Sequence, residues 1–378
     1  MYKKIVIVGS GLFGLTIAER IASVLKREVV VLEKRSHIGG NAWSEFDQKT
    51  GIEIHKYGSH LFHTSHEGVW EYVNLFTSFN SYRHHVLTIH KQQVYPMPIN
   101  LSTMSQFFGK MLTPNEAQKL IFSETESYEI EGEKTFEKIA LKSIGHSLYN
   151  SFIKGYTEKQ WQTDPKLLPP EIFTRLPVRF NYNNRYFNDK YEGLPTDGYQ
   201  KFIQNISSNN LIKIQIESDY FDNNYHEDPN TLIIYSGPLD RFFDYKHGQL
   251  GWRTLDFEIE NIDVDDYQGT SVMNYADKDV KFTRIHEFQH LHPERQKKNN
   301  STIIMKEYSR LSQREDEPYY PINSIADRSS LELYRKEMDK LENVIFGGRL
   351  GTYQYLDMHM AIASALNVFE NQIKPRFV

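Results

Sequence analysis

The chain has 378 residues, and 44 Lys+Arg against 49 Asp+Glu give it a net charge of −5. This near balance argues against a protein that mainly coats nucleic acid, which would carry a basic excess. The lack of cysteine excludes disulfides, zinc–thiolate sites and thiol catalysis, and no apolar run approaches the roughly 20 residues of a membrane span. We therefore expect a cytoplasmic, multidomain globular protein without a membrane span or a nucleic-acid partner.

The first fifty residues predict a dinucleotide-binding unit rather than a signal peptide. A buried strand over 5–8 leads into the glycine turn G-S-G-L-F-G at 9–14, a helical pattern over 12–25, a second strand over 29–32 and then Glu33. Glycines allow the backbone to turn tightly and to approach a pyrophosphate, whose charge lies at a helix N-terminus. Glu33 is spaced to accept a hydrogen bond from a ribose hydroxyl.

Two further signals favour FAD over NAD. The pair Gly39-Gly40, followed by Asn41, lies just after Glu33 and resembles the FAD-binding families related to amine oxidases; an ordinary turn is the alternative. Near the other end, a strand over 344–346, a glycine turn and a helix over 355–369 predict a return to the first domain. No second G-x-G-x-x-G is present, so no built-in NAD site is expected.

The middle of the chain predicts two insertions. Residues 102–161 are mostly helical in pattern, with Thr113 as an N-cap before Pro114 and helical spacing from Phe136 to Ile153. Residues 84–99 and 172–194 are rich in β-branched and aromatic residues, 231–235 resembles a buried strand, and 252–308 predicts an antiparallel sheet.

The predicted fold class is α/β, a Rossmann-like FAD-binding domain with an inserted helical-bundle domain and an antiparallel β-sheet domain. The predicted segments are 1–80, 197–240 and 319–378 for the FAD-binding domain, 100–165 for the helical domain, and 81–99, 166–196 and 241–318 for the sheet domain that would hold the substrate.

Residues 286–290 match the H-E-x-x-H pattern of zinc proteases. Those enzymes carry it on a helix so that both histidines face one metal. Here strand-like residues precede it and His292-Pro293 would end a helix at once, so we expect strand side chains and no metal. A second group of histidines comprises His55, His60, His63 and His66. We expect these to be hydrogen-bonded polar residues rather than metal ligands, although His60 or His63 could lie against a flavin.

Two candidate ligand-binding features remain open on residue chemistry alone. Residues 154–161 (K-G-Y-T-E-K-Q-W) could form an aromatic wall for a uracil or a sugar, although core packing is the simpler explanation. Arg175, Arg179 and Arg284 could clamp a diphosphate, or could make surface salt bridges.

Seven blocks in order along the chain resemble the bacterial UDP-galactopyranose mutases. They are G-S-G-L-F-G at 9–14, H-I-G-G-N at 37–41, Y-G-S-H-L-F-H-T at 57–64, K-G-Y-T-E-K-Q-W at 154–161, R-L-P-V-R-F at 175–180, P-Y-Y-P at 318–321 and G-G-R-L-G-T-Y-Q-Y-L-D-M at 347–358.

The resemblance implies an isomerase (an intramolecular transferase) that interconverts UDP-galactopyranose and UDP-galactofuranose without net redox chemistry. In that family reduced FAD attacks the anomeric carbon through N5, UDP leaves, and the ring opens and recloses. It further implies a homodimer, an external reductant such as NAD(P)H or a reductase, and a role in making galactofuranose for cell-surface polysaccharides.

The resemblance also assigns residues to roles. The catalytic residues are expected to be Arg175, Arg284 and His63. The expected substrate-binding residues are Phe152, Tyr156, Thr157, Trp161, Arg175, Tyr186, Asn274, Arg284, Tyr320, Tyr355 and Asp357. The expected cofactor-binding residues, from the glycine motif and the resemblance together, are Gly9, Gly11, Leu12, Phe13, Gly14, Glu33, Lys34, Gly40, Asn41, His60, Arg349, Tyr355, Asp357 and Met358.

One departure from the family pattern leaves two substrate sugars as alternatives. His84 and His85 stand where some relatives place an asparagine near the substrate, so UDP-N-acetylgalactosamine is an alternative substrate. An FAD-dependent oxidoreductase is the alternative from a different class, because it would share the nucleotide-binding fold. A nucleotide-sugar-binding module without catalysis is a third alternative, disfavoured by the flavin site.

Overall fold

The computed structural model describes residues 2–126, 132–174, 177–223, 225 and 228–377. In chain order the strands are β1 Lys4–Val8, β2 Val29–Leu32, β3 Ser44–Phe46, β4 Glu53–His55, β5 Phe62–Thr64, β6 Val86–His90, β7 Gln93–Met97, β8 Tyr191–Gly193, β9 Ile212–Gln215, β10 Thr231–Tyr235, β11 Trp252–Ile262, β12 Val272–Tyr275, β13 Arg284–Glu287, β14 Thr302–Leu311, β15 Tyr320–Pro321 and β16 Val344–Phe346. The helices are α1 Leu12–Arg20, α2 Glu67–Val73, α3 Leu101–Phe107, α4 Pro114–Thr125, α5 Phe136–Leu148, α6 Gly155–Trp161, α7 Glu171–Thr174, α8 Gly198–Ile206, α9 Leu239–Phe242, α10 Ile325–Met338, α11 Gly348–Thr352 and α12 Met358–Val368.

A five-stranded parallel sheet in the order β16-β10-β1-β2-β9 forms the first layer. Its strands are short apolar runs, as expected when both faces are covered. Ile7 on one face packs with Ile17 of α1 and Ala365 of α12, whereas Val8 on the other face packs with Tyr220. Because β1 and β2 are parallel, their carboxyl ends lie side by side where α1 begins.

A seven-stranded sheet in the order β15-β11-β14-β13-β12-β6-β7 forms a separate layer. All its pairs are antiparallel except β12 with β6. Within it, Arg284 on β13 lies opposite Asn274 on β12 and opposite Glu307 on β14. The antiparallel sheet predicted over 252–308 is confirmed, and it extends to β6, β7 and β15.

The helices α3 to α6 share one apolar cluster, which includes Met104, Ile121, Ile144 and Phe152. The predicted N-cap of α4 is confirmed: the Thr113 amide donates to Glu116 Oε2 at 2.8 Å, and the Glu116 amide donates to Thr113 Oγ1 at 3.3 Å. Together with the two sheets, this cluster confirms the predicted α/β class with helical and antiparallel-sheet insertions.

Several predicted helices have different ends or a different type of turn. The pattern over 12–25 is α-helical only to Arg20 and continues as a π-helical turn over Ile21–Leu25. The pattern from Phe136 is interrupted at Gly145, where φ is +75°, and passes into a π-helical turn over Tyr149–Lys154. The helix predicted from residue 355 begins at Met358 instead.

Residues 172–194, which are rich in β-branched and aromatic residues and lie in a segment assigned to the sheet domain, form little strand. Of the described residues there, only β8 is a strand, and it pairs with β5 outside the large sheet. The cause is local: Asn181 Oδ1 accepts the amide of Asn183, and Asn183 Oδ1 accepts the amide of Arg185, each at 3.0 Å. Such side-chain bonds to the backbone compete with strand pairing.

The strands of the parallel sheet come from the three segments assigned to the FAD-binding domain. Residues 166–196, assigned to the sheet domain, instead supply Leu168 and Phe173 to the apolar cluster of the helices. Among the described residues, the longest helices are too short or too polar to cross a bilayer.

Candidate functional site

The first cavity lies at the carboxyl ends of β1 and β2, and we call it the glycine-loop cavity. It is walled by the turn after β1, the residues that follow β2, and parts of α11 and α12. The predicted cofactor-binding residues that line it are Gly9, Gly11, Leu12, Phe13, Glu33, Lys34, Gly40, Asn41, His60, Arg349 and Met358.

The glycine loop has the form that a pyrophosphate needs. Gly9 has φ +97°, in the region that favours glycine. A Cβ on Gly11 would meet no atom within 4 Å, so the backbone at this residue lies open to the cavity. Helix α1 starts here with no side chain capping its first amides, which leaves its N-terminus available to an anion.

Gly14 was also predicted to contact the cofactor, but it is not among the residues that line this cavity. A Cβ at this position would lie 2.0 Å from the Gly9 carbonyl oxygen and 3.1 Å from Ile7. Gly14 therefore allows α1 to pack closely on the loop rather than touching a ligand.

Glu33 is held at the end of β2 by three donors. The Ser10 hydroxyl donates to Oε2 at 2.6 Å, the Ser10 amide to Oε2 at 3.0 Å, and the Arg35 amide to Oε1 at 3.0 Å. A carboxylate has about four acceptor positions, so Glu33 keeps capacity for a ribose hydroxyl. The adjacent Lys34 pairs with Glu317 at 2.8 Å.

A second, larger cavity lies between the helices, the seven-stranded sheet and the start of α12, and we call it the arginine cavity. Every predicted substrate-binding residue in the described part of the chain lines it: Phe152, Tyr156, Thr157, Trp161, Tyr186, Asn274, Arg284, Tyr320, Tyr355 and Asp357. His63 lines it as well. Tyr355 and Asp357, which were also predicted to touch the cofactor, lie on this side only.

The two cavities meet. Asn41, His60, Arg349 and Met358 line both of them. Arg349 is fixed at this junction by donating to the carbonyls of Leu356 at 2.6 Å and Tyr319 at 3.1 Å. A ligand in the glycine-loop cavity can therefore contact a second ligand in the arginine cavity.

His60 at the junction is neutral. Its Nδ1 donates to the Gly58 carbonyl at 2.7 Å, which leaves Nε2 as an acceptor. Burial lowers the pKa of His60 to about 4, and the charge of Arg349 adds to this effect.

Arg284 is the principal cation of the arginine cavity. Its Nε donates to Glu307 Oε1 at 3.0 Å, and no other hydrogen bond of its guanidinium is found within the described part of the chain. Burial alone would lower the pKa of Arg284, but the Glu307 carboxylate raises it well above its usual range. The arginine therefore stays charged, and its two terminal nitrogens remain for a ligand.

Glu307 is the buried partner that fixes this arginine. Burial alone would raise the pKa of Glu307, but the charge of Arg284 and a hydrogen bond from His286 lower it to about 2. On the neighbouring strand, Asn274 Oδ1 is buried without a hydrogen-bond partner among the described residues. This orphaned acceptor fits a cavity that takes a polar ligand.

Aromatic side chains wall the arginine cavity. Tyr320 stacks on Tyr355 with ring centroids 5.9 Å apart. Phe152 meets Tyr95 at 4.9 Å and His90 at 5.6 Å. Flat apolar faces with polar edges suit both a nucleobase and a sugar ring.

His63 has two partners that the sequence did not reveal. Its Nδ1 lies 2.7 Å from Asp189 Oδ2, and its ring stacks on Phe187 at 3.6 Å. A carboxylate can only accept, so Nδ1 of His63 carries a proton and donates it to this hydrogen bond. Asp189 is itself held by Ser65 Oγ at 2.7 Å.

Of the two histidines that depart from some relatives, only His84 lines the arginine cavity; His85 is exposed. The Tyr82 hydroxyl lies 2.9 Å from His84 Nδ1. Burial, with the charge of Arg284 next, lowers the pKa of His84 to about 3, so this ring is neutral near pH 7.

The H-E-x-x-H residues do not converge. His286 is on β13 and bonds to Glu307 and Ser59, whereas His290 is in a 3-10 turn and lies 3.2 Å from Asp266. Among the described residues, no group with metal-ligand geometry contains both histidines. His286 is therefore a strand side chain, as expected, whereas His290 is not; His286 also lines the arginine cavity.

Arg175, predicted to be catalytic, lies outside the described residues; Pro177 and Val178, shortly after it, line the arginine cavity. Arg179, the third candidate for a diphosphate clamp, donates to the carbonyls of Asn183 and Arg185 instead. The residues that sequence reasoning missed are Glu307, Asp189 and Phe187, whereas His286 was noted only as part of the H-E-x-x-H pattern. No local motif marks the first three, since each acquires its role through a residue more than 20 positions away.

Comparison with known proteins gives a consistent assignment. A family model described as UDP-galactopyranose mutase matches residues 151–355, and one described as an NAD(P)-binding Rossmann-like domain matches residues 7–76. The chain is 43% identical over 364 residues to a probable UDP-galactopyranose mutase of Klebsiella pneumoniae, covering 96% of this chain and 93% of that protein.

Two further relatives extend this result. The chain is 40% identical over 375 residues to a dTDP-fucopyranose mutase of Escherichia coli, covering 98% of both. A crystal structure of reduced UDP-galactopyranose mutase superposes with a TM-score of 0.73 at 14% identity, covering 99% of this chain and 94% of that one. At that identity, the superposition shows a shared fold.

Proposed function

This chain belongs to the UDP-galactopyranose mutase family, and from that membership we propose that it interconverts UDP-galactopyranose and UDP-galactofuranose with reduced FAD and without net redox change. The observation that carries the proposal is the meeting of the two cavities at Asn41, His60, Arg349 and Met358. This arrangement allows a flavin held on the glycine-loop side to face a sugar held on the arginine side.

The residues of the glycine-loop cavity fit FAD. Gly11 and the uncapped start of α1 would hold the pyrophosphate, and Glu33 would accept from the adenosine ribose. Arg349 and Met358 would lie by the flavin, where the cavities meet. When bound and reduced, FAD supplies through N5 the nucleophile that attacks the sugar's anomeric carbon.

The arginine cavity would hold the nucleotide part of the substrate. The terminal nitrogens of Arg284 would bind the diphosphate and stabilise its charge as UDP departs and returns. We assign the same role to Arg175. Phe152, Tyr156 and Trp161 would stack on the uracil, and Thr157 lies on the same helix as two of them.

The sugar would lie towards the junction, among residues with polar edges. Asn274 Oδ1 offers an acceptor, and the hydroxyl of Tyr355 bonds to Asp357 at 2.9 Å, which fixes that pair. Tyr186 and Tyr320 complete this wall. His63, with its proton at Nδ1 towards Asp189, would present Nε2 to receive a proton from a sugar hydroxyl during ring opening and reclosure.

The test is anaerobic incubation with UDP-galactofuranose, with and without dithionite, followed by chromatographic separation of the isomers. We expect UDP-galactopyranose in the reduced sample and little in the oxidised one. Replacing Arg284 with alanine should lower kcat/KM by about 100-fold or more while FAD stays bound, because the preorganised positive charge that stabilises the leaving group is lost. An Arg284→Lys variant controls for charge without the guanidinium.

Other outcomes would redirect the proposal. Preferential conversion of dTDP-fucopyranose, the substrate named for the Escherichia coli relative, would keep the family and change the substrate. Conversion of UDP-N-acetylgalactosamine alone would do the same. Turnover that consumes an electron acceptor stoichiometrically would make the protein an FAD-dependent oxidoreductase.

The remaining parts of the proposal rest on family membership. We propose a homodimer in the cytoplasm, an external reductant such as NAD(P)H or a reductase, and galactofuranose destined for cell-surface polysaccharide. Consumption of NAD(P)H in proportion to flavin reduction, and a sedimentation mass of twice 44.5 kDa, are the corresponding measurements.

A further inference from the structure

We propose that His286 is a positioning residue for the substrate: it holds Glu307, which in turn orients Arg284, and it anchors this pair to the loop over residues 57–60. His286 follows Arg284 by two positions on β13, so both side chains are on the same face of the strand. His286 is 2% exposed and lines the arginine cavity. The inference rests on the role proposed above for Arg284.

The hydrogen bonds of His286 fix its tautomer. Its Nε2 lies 3.1 Å from Glu307 Oε2, and its Nδ1 lies 2.8 Å from Ser59 Oγ. Glu307 is an ionised carboxylate and can only accept, so Nε2 must carry the proton. Nδ1 is then the acceptor, and the Ser59 hydroxyl donates to it.

Glu307 needs this donor in order to keep one orientation. Its Oε1 accepts from Arg284 Nε at 3.0 Å and from Thr283 Oγ1 at 3.3 Å, whereas His286 is its partner at Oε2. Loss of the His286 donor would leave one oxygen of a buried carboxylate unsatisfied. The carboxylate could then rotate, and the guanidinium plane of Arg284 would rotate with it.

The other end of this chain of contacts reaches the cofactor side. Ser59 lies in the loop between β4 and β5, next to His60, which lines both cavities. The same loop approaches Glu307 directly, since a Cβ on Gly58 would lie 3.7 Å from Glu307 Oε2. The order of contacts is therefore Arg284, Glu307, His286, Ser59, from the diphosphate clamp to the junction.

The second histidine of the H-E-x-x-H motif provides a matched control. His290 is partly exposed, bonds to Asp266 at 3.2 Å, and does not line either cavity. A substitution there changes the same residue type four positions away, in the same segment, without touching Glu307.

The test measures UDP binding to the FAD-loaded protein by calorimetry, and KM and kcat with the nucleotide sugar. We expect His286→Leu to weaken UDP binding and to raise KM about tenfold, the size of effect of one lost hydrogen bond to a charged group. His286→Gln, which retains a donor near Nε2, should keep UDP binding within about threefold, and His290→Ala should leave it unchanged.

A purely structural role for His286 would lower the thermal stability of both His286 variants without separating their UDP affinities. Equal UDP affinity in the unaltered protein and His286→Leu, or an equal loss in His286→Gln and His286→Leu, would overturn the inference. If His286→Leu does not fold, Ser59→Ala replaces it and should weaken UDP binding by a smaller factor; no change would count against the inference. Failure of the unaltered protein to bind UDP would instead overturn the proposed function, and this inference with it.

Discussion

Gly11 and Gly14 belong to one sequence motif but have different neighbours. Gly11 faces the glycine-loop cavity with nothing within 4 Å of an added Cβ, whereas a Cβ added to Gly14 would lie 2.0 Å from the Gly9 carbonyl oxygen. The motif alone does not distinguish a glycine that leaves room for a ligand from one that leaves room for the protein's own backbone.

This difference predicts opposite behaviour for two alanine variants. Gly11→Ala should weaken FAD binding at least tenfold while the unfolding free energy of the apoprotein changes by less than about 1 kcal/mol, because only cavity space is filled. Gly14→Ala should destabilise the apoprotein by about 1–3 kcal/mol, as overpacking does. Urea unfolding of the apoprotein and fluorescence titration with FAD would measure both; a destabilised Gly11→Ala apoprotein would contradict the assignment.

Many residues of the candidate site could be predicted from sequence motifs. The glycine turn, Glu33 and the block around Tyr156 are contiguous or regularly spaced, and the structure brings them to one of the two cavities. Glu307 could not be predicted as a site residue, because it lies opposite Arg284, 23 residues earlier, only when β14 pairs with β13. Register between strands is a tertiary property and has no local signature here.

Among the elements, α6 carries much of the aromatic wall and is attached to the seven-stranded sheet by Lys159. The ammonium of Lys159 donates to the carbonyls of Tyr275 at 2.6 Å, Asp277 at 2.8 Å and Phe282 at 3.1 Å. These carbonyls lie at the end of β12 and in the segment that leads to β13, the two strands that carry Asn274 and Arg284. Lys159 therefore holds α6, with Tyr156 and Trp161, at a fixed distance from Asn274 and Arg284.

Replacing Lys159 with methionine should raise KM for the nucleotide sugar by about tenfold, since three backbone carbonyls lose their donor. Burial lowers the pKa of Lys159 to about 8, against the opposing charges of Asp277 and Asp279. Above that pH the neutral amine has two N–H groups for three carbonyls, so KM of the unaltered protein should rise through pH 8, and KM of Lys159→Met should lack this step.

Lys278 gives a matched control for that experiment. It joins the same two parts of the structure through an exposed ion pair with Glu158 at 2.8 Å, and its side chain is 76% exposed. Exposed pairs contribute about 0–1 kcal/mol, so Lys278→Met should change KM by less than about twofold. A similar loss in both lysine variants would show that general loosening of α6, rather than the buried ammonium, controls KM.

Elements were predicted better where periodicity is strong than where side chains bond to the backbone. The strands β1, β2, β10 and β16 and the start of α4 follow the apolar pattern and the capping signal closely. The π-helical turns after α1 and α5, and the irregular segment held by Asn181 and Asn183, did not follow from periodicity. The apolar pattern of a helix face does not distinguish an α-helical from a π-helical turn. A high content of β-forming residues does not indicate whether an asparagine side chain bonds to the backbone nearby.

At the scale of the whole molecule, three buried carboxylates join segments that are distant in sequence. Glu53 accepts from Arg295 at 2.7 Å and from the Tyr199 amide at 2.9 Å. Glu287 accepts from Thr302 Oγ1 and from two loop amides. Burial alone would raise all three pKa values, but hydrogen bonds and nearby cations lower those of Glu287 and Glu307 to about 2, and that of Glu53 further.

These carboxylates predict acid sensitivity. Between their ordinary pKa of 4.5 and about 2, the unfolded chain binds more protons than the folded protein, so stability falls as the pH falls. The unfolding free energy at saturating FAD should begin to decline below the ordinary histidine pKa of 6.5, because buried His60 and His84 stay neutral in the folded protein. It should decline more steeply below 4.5, where the carboxylates of the unfolded chain take up protons. Glu287→Gln, which cannot titrate, should show a shallower slope in urea unfolding at several pH values; an unchanged slope would mean that Glu287 does not contribute.

The order β16-β10-β1-β2-β9 has a consequence for how the protein is made. The glycine loop is translated before Arg349 and Met358, which form the wall opposite it, and β1 pairs with a strand that begins at residue 231. During synthesis β1 and β2 can pair with each other but lack their other neighbours, β10 and β9, and the glycine-loop cavity is open on one side. A ligand of the glycine-loop cavity can therefore be enclosed only once Arg349 and Met358 have been synthesised, and the free edges of β1 and β2 are open to aggregation until β10 and β9 follow.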